Sequence, residues 1–136
     1  LFISHDISTV RALCDDIVVM YSGHKVQAGS RQSFAEPPFH PYTDVLIHSV
    51  PELRQGWLET CGASGGALPP IGARANVPEL CTFLNRCPVR VDGLCNLTAP
   101  SRRSLENGGE ILCHHDTAQL LNTQQGINTM TLGAYA

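Results

Sequence analysis

The segment 81–113 places four cysteines in a stretch of turn residues, with the spacing C-x5-C-x7-C-x17-C. Pro88, Asp92 with Gly93, and Gly108 with Gly109 interrupt any regular element there. Loops of this kind rarely bury enough apolar surface to fold unaided. A metal centre supplies the missing stability, because its binding free energy becomes folding free energy. The predicted ligands are Cys81, Cys87, Cys95 and Cys113.

The spacing of these cysteines leaves three kinds of site open. Four thiolates suit a tetrahedral zinc ion or an iron–sulfur cluster. Zinc sites usually show two tight C-x2-4-C pairs, which are missing here, so the wider spacing favours the cluster. Structural thiols or adventitious disulfides are the third alternative, since exposed cluster thiolates oxidise readily. His114 and His115 are reserve ligands, Cys61 is left out, and Cys14 is interpreted as a small buried hydrophobe.

The first fifty residues alternate between helical and strand patterns. Residues 7–16 show apolar positions at helical spacing with Ser8 as the N-cap. Residues 17–21 are a continuous apolar run, predicted to be a strand buried on both faces. Ser22 and Gly23 then turn the chain into a second strand of a hairpin at 25–29. Short helices follow at 31–35 and from Pro41 to about residue 48, where His40 orders the turn. An α/β arrangement is predicted.

The rest of the chain is predicted to be less regular. Residues 51–80 are rich in Gly and Pro and are interpreted as a linker, in which Trp57 contacts the core. Residues 117–136 are polar and small, which predicts a flexible tail. With a formal net charge of −3, the 136-residue chain offers no basic face, so a nucleic-acid partner is not expected. Neither an apolar run long enough for a membrane span nor a signal peptide is found in the sequence.

The order of several short motifs points to a known family. An apolar strand at residues 1–4 breaks off at Ser4-His5-Asp6, inside what we expect to be a longer protein. The run from Asp16 to Gly23 follows, and then His40-Pro41-Tyr42 with the four cysteines behind it. Over roughly residues 1–116 this order resembles the C-terminal portion of the ATP-binding subunits of oligopeptide and dipeptide importers, which are ATP-binding cassette (ABC) proteins.

The resemblance implies a fold, a catalytic residue and cofactors. Residues 1–50 become an α/β remnant of the cassette ATPase domain, and 81–116 an irregular cysteine-containing extension. His5 becomes the switch histidine that senses the γ-phosphate of ATP, with Mg²⁺ as the accompanying ion. The cysteines are implied to carry a 4Fe-4S cluster. The phosphate loop GxxxxGK[ST] is not found, and Lys25 is the only lysine, so this chain alone is not expected to hydrolyse ATP.

The resemblance also implies partners and a place in the cell. The intact subunit would couple ATP hydrolysis to the uptake of oligopeptides, dipeptides or a related solute such as nickel. It would work with membrane-embedded permease subunits and a second ATP-binding subunit, as a peripheral protein on the cytoplasmic face of the inner membrane. The extension would be structural or regulatory, with contact between the two ATPase subunits as a fold-level analogy.

Two other functions and one assembly state are considered. The chain could be a freestanding metal-binding or iron–sulfur redox module, although such a module would not begin within a strand bearing His5. A secreted domain stapled by disulfides is disfavoured by the missing signal peptide. The strand at residues 1–4, without sheet neighbours, predicts that the isolated chain forms a homo-oligomer.

Overall fold

A computed structural model describes residues 1–49, 68, 70–72, 76 and 78–131 of the chain. Within these residues the chain forms three α-helices and four β-strands, together with 3-10 helices at Arg31–Phe34 and Leu84–Arg86. The predicted linker 51–80, with Trp57 and Cys61, lies largely outside the described residues. In chain order the regular elements are α1 (Ile7–Leu13), β1 (Asp16–Tyr21), β2 (His24–Ser30), α2 (Pro41–His48), β3 (Arg102–Ser104), β4 (Glu110–Leu112) and α3 (Thr117–Thr131).

The predicted hairpin is confirmed, because β1 and β2 pair antiparallel. Ser22 and Gly23 connect them with φ angles of 48° and 80°. Two successive residues with positive φ make the type of tight turn that matches the twist of a hairpin. The prediction that β1 is buried on both faces is wrong. Its burial alternates along the strand, so that Val18 and Met20 are exposed while Ile17 and Val19 enter the core.

An irregularity in the hairpin turns a polar side chain inward. Val19 pairs with Gln27, but Met20 pairs with Lys25, so Val26 is an extra residue on β2. Such a β-bulge changes the inward and outward alternation of a strand. Val26 and Gln27 are both buried as a result, although they are neighbours in sequence.

The cysteine segment contributes two strands to the same sheet, whose order is β1-β2-β4-β3. β4 pairs antiparallel with β2, placing Gln27 beside Ile111. Lys25 forms an ion pair with Glu110 across this pairing. The prediction of an irregular extension is therefore wrong for the strands at Arg102–Ser104 and Glu110–Leu112. The result is a small α/β structure with one antiparallel four-stranded sheet.

Two clusters of buried side chains hold these elements together. The first lies between the hairpin and the helices, and α1, α2 and Cys14 pack against it with partly buried side chains. Cys14 thus behaves as the predicted small hydrophobe. The second cluster joins the cysteine segment to α3. The members of the first are Ile7, Ile17, Val19, Val26 and Phe34, and those of the second are Leu105, Ile111, Cys113 and Leu120.

Residues 117–131 of the tail that was predicted to be flexible form helix α3. Leu120 and Gln124, one turn apart, are both buried. The Gln124 side chain accepts a hydrogen bond from the Phe39 N–H at 2.9 Å and donates one to the Phe39 carbonyl at 2.8 Å. The helix is therefore tied to the backbone just before α2.

The start of the chain also differs from the prediction. Residues 1–4 form no strand, and Leu1 and Ile3 are fully or largely exposed. This removes the basis on which a homo-oligomer was predicted. Helix α1 ends at Leu13 and is capped by Asp6 rather than Ser8, because the Asp6 carboxylate accepts from the Ser8 N–H at 2.9 Å. None of the helices in the described ranges is long and apolar enough to cross a membrane.

The contact of Gln124 with Phe39 predicts a measurable loss of stability. The substitution Gln124→Ala leaves a buried N–H and a buried carbonyl without their partner, which costs about 2 kcal/mol. Asn122→Ala on the exposed face of the same helix is the control and changes stability by about 0.5 kcal/mol or less. Urea unfolding followed by circular dichroism measures both. Equal midpoints for the two variants would show that α3 is not held in this way.

Candidate functional site

The four predicted cysteine ligands come together around one cavity, whose volume is about 20 Å³. It lies between the cysteine segment and the start of α2. A second cavity lies elsewhere, against α1 and the Arg31–Phe34 turn. The lining residues of the cysteine cavity are His40, Pro41, Cys81, Leu84, Cys87, Arg90, Cys95, Pro100, Cys113, His114 and His115.

A short 3-10 helix positions the first two cysteines. The Cys81 carbonyl accepts from the Leu84 N–H at 3.1 Å, which starts the turn at Leu84–Arg86. Cys87 is the C-cap residue of that turn, where the backbone becomes extended. The turn is anchored by Leu84, which is 1% exposed. Local backbone hydrogen bonds thus bring Cys81 and Cys87 to the same side.

The other two cysteines arrive from different structures. Cys95 lies in a turn in which its N–H donates to the Val91 carbonyl at 2.9 Å, and its sulfur accepts from the Val91 N–H at 3.4 Å. Cys113 follows the last residue of β4 directly. The site therefore joins two turns to the end of a central sheet strand.

The four cysteines are free thiols, and the surroundings of Cys81, Cys87 and Cys113 favour the protonated form. Burial raises the pKa of Cys87 to about 12 and that of Cys113 to about 11, with the neighbouring cysteines adding to the shift. Burial is also the main cause of the raised pKa of Cys81, and the charge interaction with Cys95 raises it further. The mutual repulsion of these groups on ionisation is a direct consequence of their closeness. A positively charged centre would have to displace their protons.

Within the described ranges, no three histidine, cysteine, aspartate or glutamate side chains are grouped so that they could hold a metal ion. The thiols share a cavity without closing around one point. A group much larger than water would require the cysteine turns to move apart, since the cavity holds about one water molecule.

The two reserve histidines have structural partners. His114 Nε2 lies 3.0 Å from the Thr98 carbonyl, and His115 Nε2 lies 2.6 Å from the Val89 carbonyl. A carbonyl only accepts, so each Nε2 carries the proton and is not free to ligate. Both residues line the cavity and fasten the cysteine turns to the strand end at Cys113.

One arginine is part of the cavity wall. The Arg90 side chain is only 5% exposed, and its Nε lies 3.3 Å from an Asp92 carboxylate oxygen. Arg102 and Arg103, by contrast, lie on the exposed strand β3. Of the arginines near the cysteines in sequence, Arg90 is thus the one built into the site.

His40 is a cavity residue that the sequence analysis assigned only to the turn. That role is confirmed, because its Nδ1 accepts from the Tyr42 N–H at 3.1 Å and caps α2. The His40 ring is 1% exposed, and burial lowers its pKa to about 4 despite an opposing interaction with the Leu112 backbone. The Gln27 side chain accepts from the His40 N–H at 2.8 Å. The feature of the sequence that could have pointed to His40 as a cavity residue is its place in the His40-Pro41-Tyr42 triplet.

His5 lies apart from the cysteine cavity. It is exposed and immediately precedes Asp6, the cap of α1. It is not among the residues that line the cavity. The structure therefore contains two separate candidate sites, one at His5 and one at the cysteines.

Comparison with known proteins identifies the family. Residues 26–95 match the family model described as oligopeptide/dipeptide transporter, C-terminal region. The chain belongs to this family. The match starts on β2 and includes the His40-Pro41-Tyr42 triplet and three of the four predicted cysteine ligands, so the family region runs from the second strand of the hairpin to the cysteine turns.

Several curated relatives are similar to the chain over most of its length. A "Putative peptide import ATP-binding protein" of Brucella abortus (strain 2308) is 36% identical over 114 residues, covering 84% of this chain and 32% of the relative. A relative of the same name from Brucella ovis is 33% identical over 116 residues, covering 85% of the chain and 35% of the relative. The chain thus spans about a third of the length of these relatives. No solved structure matches it.

The raised pKa values of Cys87 and Cys113 predict how the metal-free chain reacts with iodoacetamide. The thiolate is the reactive species, so Cys87 and Cys113 should be alkylated at rates that still rise between about pH 9 and about pH 11. In urea the same residues should reach their full rate near about pH 9, because an unfolded thiol has a pKa of about 8.5. Peptide mapping by mass spectrometry gives both profiles. Profiles that coincide would contradict the burial of these thiols.

Proposed function

We propose that the chain is the C-terminal part of the ATP-binding subunit of an ABC importer for peptides. The observation that carries the proposal is the similarity to peptide import ATP-binding proteins across 84% of the chain. The family region matched at residues 26–95 supports the same function. Oligopeptides and dipeptides are the favoured solutes, and the similarity offers no comparable support for nickel.

The division of labour in the intact subunit follows from what this chain carries. The phosphate-binding loop is not in this sequence, so the phosphates of ATP and Mg²⁺ would be held by another part of the subunit. His5 would approach the γ-phosphate from its exposed position ahead of α1. The exposed Val18 and Met20 face of β1 is suited to packing against the same domain.

The proposed partners follow from the importer function. Membrane-embedded permease subunits would carry the peptide, and a second ATP-binding subunit would complete the ATPase pair. This arrangement places the subunit at the cytoplasmic face of the inner membrane. The shared sheet favours this reading over a freestanding metal module, since β4 of the cysteine segment pairs with β2 of the hairpin.

We further propose that Cys81, Cys87, Cys95 and Cys113 hold a 4Fe-4S cluster. Support comes from four free thiols around one cavity and from the lack of tight cysteine pairs. When bound, such a cluster crosslinks the turns and can exchange one electron.

The charge of one residue in the cavity wall suits such a group. A centre held by four thiolates is anionic, and Arg90 places a nearly buried guanidinium in the cavity wall. His114 and His115 bind the carbonyls of Thr98 and Val89, respectively. These contacts fasten the strand end at Cys113 to the cysteine turns and limit how far the ligands separate. The proposed role of the site is structural: it fixes the cysteine segment against the sheet.

Metal analysis after oxygen-free purification tests the cluster. We expect about four iron and about four sulfide per chain, with a broad visible absorption that is lost in Cys87→Ser and Cys113→Ser. Cys14→Ser is the matched control, because Cys14 packs against the other hydrophobic cluster, and it should retain full iron content. Stoichiometric zinc would overturn the cluster while keeping the ligands. A chain without metal would overturn both.

The switch role of His5 is tested in the intact subunit. We expect His5→Ala to reduce ATP hydrolysis by about 100-fold or more while leaving ATP binding near normal, since the residue acts on the charge that develops during phosphoryl transfer. His24→Ala is the control, because that exposed histidine lies in the hairpin, with its Nδ1 2.9 Å from the Ser22 carbonyl. Near-normal turnover by His5→Ala would contradict the assignment of His5 as the switch residue.

A further inference from the structure

The cavity beside α1 is much larger than the cysteine cavity and has no part in the functions described above. Its volume is about 420 Å³, within the range of about 300 to 1,000 Å³ that is usual for small-molecule sites. One wall is helix α1, and the other is the Arg31–Phe34 turn with the residue that follows it. The lining residues are Ser8, Arg11, Ala12, Arg31, Gln32 and Ala35.

The wall formed by α1 is the side of the helix that faces away from the core. Ile7 and Val10 lie on the side that packs in the first hydrophobic cluster. Ser8, Arg11 and Ala12 share another side, since residues three and four apart are neighbours on a helix, and they line the cavity. The packing of the core side therefore fixes which side chains this wall presents.

The opposite wall is held to the end of α1 by Arg31. Its backbone N–H donates to the Asp15 carbonyl at 2.7 Å, and its Nε donates to the Cys14 carbonyl at 3.1 Å. The Asp15 carboxylate pairs with Nη2 of the same side chain, and none of these bonds uses Nη1. Phe34, which is fully buried, anchors the turn in the first hydrophobic cluster. The two walls thus have a fixed separation, and the Arg31 guanidinium has a defined direction.

The polar side chains of the cavity are donors that the fold leaves available. Within the described ranges, no ion pair or hydrogen bond engages the Arg11 guanidinium, the Ser8 hydroxyl or the Gln32 side-chain amide. Nη1 of Arg31 adds a further donor. A guanidinium binds oxyanions through its planar fork. Two of them on different elements suit a tetrahedral dianion such as phosphate better than a carboxylate, which one guanidinium can bind by itself.

The carboxylates close to these elements in sequence do not line the cavity. The Asp6 carboxylate accepts from the Ser8 N–H at 2.9 Å, and the Asp15 carboxylate pairs with Arg31. Glu36 follows Ala35 and is exposed. The charge of the lining itself therefore comes from the two arginines, which favours an anionic ligand.

We propose that this cavity binds the phosphate group of a small phosphorylated organic solute. The two guanidinium groups bind phosphate oxygens, and the Ser8 hydroxyl and the Gln32 amide donate further hydrogen bonds. The methyl groups of Ala12 and Ala35 contact the organic part, for which the cavity has room beyond a phosphate ion. The inference goes beyond the proposed transport function and needs neither ATP hydrolysis nor an occupied cysteine site.

Titration of the ¹⁵N-labelled chain with glycerol 3-phosphate and with inorganic phosphate, followed by two-dimensional NMR, tests the charges. We expect saturable shifts of the backbone amides that line the cavity, with half-saturation at about 1 mM for glycerol 3-phosphate and weaker binding of inorganic phosphate. Arg11→Gln should weaken both about tenfold, because it removes charge-assisted hydrogen bonds and leaves the contacts of Arg31 intact. Arg102→Gln, on the exposed strand β3, removes the same charge elsewhere and should leave binding unchanged.

Ala35→Leu tests the space while keeping both arginines. Ala35 is exposed and its φ is −76°, so a leucine fits the backbone there. The larger side chain fills part of the cavity and should weaken glycerol 3-phosphate more than inorganic phosphate. Urea unfolding of each variant should give a midpoint close to that of the unaltered chain, since the substituted side chains make no buried contact.

The outcomes separate a phosphate site from general attraction to charge. Shifts that do not saturate, or that Arg102→Gln reduces as much as Arg11→Gln, would overturn the inference. Succinate bound as tightly as glycerol 3-phosphate would also overturn it, because the cavity would then select carboxylates. Phosphatidylcholine vesicles containing phosphatidic acid present the same group on a lipid. Binding to them that depends on Arg11, without binding of glycerol 3-phosphate, would overturn the assignment to a small solute.

Discussion

The extra residue in β2 is the constraint on which the rest of the structure depends. By adding Val26 to the strand, the bulge turns Gln27 inward beside Val26 instead of leaving it on the solvent face. The backbone of Gln27 pairs with Ile111 on β4, while its side chain accepts from the His40 N–H. One residue thus connects the hairpin, the start of α2 and the cysteine segment. A regular strand could make the first connection but would direct the side chain away from the second.

The triplet at residues 40–42 is the meeting point of three distant parts of the chain. Gln124 of α3 holds the Phe39 backbone just before it, and Gln27 holds His40. Tyr42 stacks edge-on with Tyr21 at 4.7 Å, and both rings contact Phe83 at 5.2 Å in the first cysteine turn. The triplet is therefore informative in sequence because it is crowded in space: contacts from β2, α3 and the first cysteine turn meet on it or directly before it.

Local signals in the sequence predicted what local forces determine. Ser22-Gly23 predicts the hairpin turn, and Pro41 predicts the start of α2, because their backbone preferences act within a few residues. Strand β3 begins with two exposed arginines and follows no alternating pattern, so its pairing with β4 depends on the sheet already formed. Helix α3 has a polar sequence whose register is chosen by the burial of Leu120 and Gln124. Residues 1–4, although the first three are apolar, form no strand without a neighbour with which to pair.

The convergence of the cysteines follows from the same tertiary pairing. Cys113 is fixed by β4, β4 by β2, and the turns carrying Cys87 and Cys95 by the histidines that follow Cys113. The thiols are thus brought together by hydrogen bonds that need no metal, and burial makes Cys87 and Cys113 difficult to ionise. A bound centre would have to displace the protons of these thiols. Because β2 pairs with β1 as well as with β4, and Ile7 of α1 packs in the same hydrophobic cluster as β1 and β2, the sheet that fixes Cys113 is continuous with the hairpin against which α1 packs.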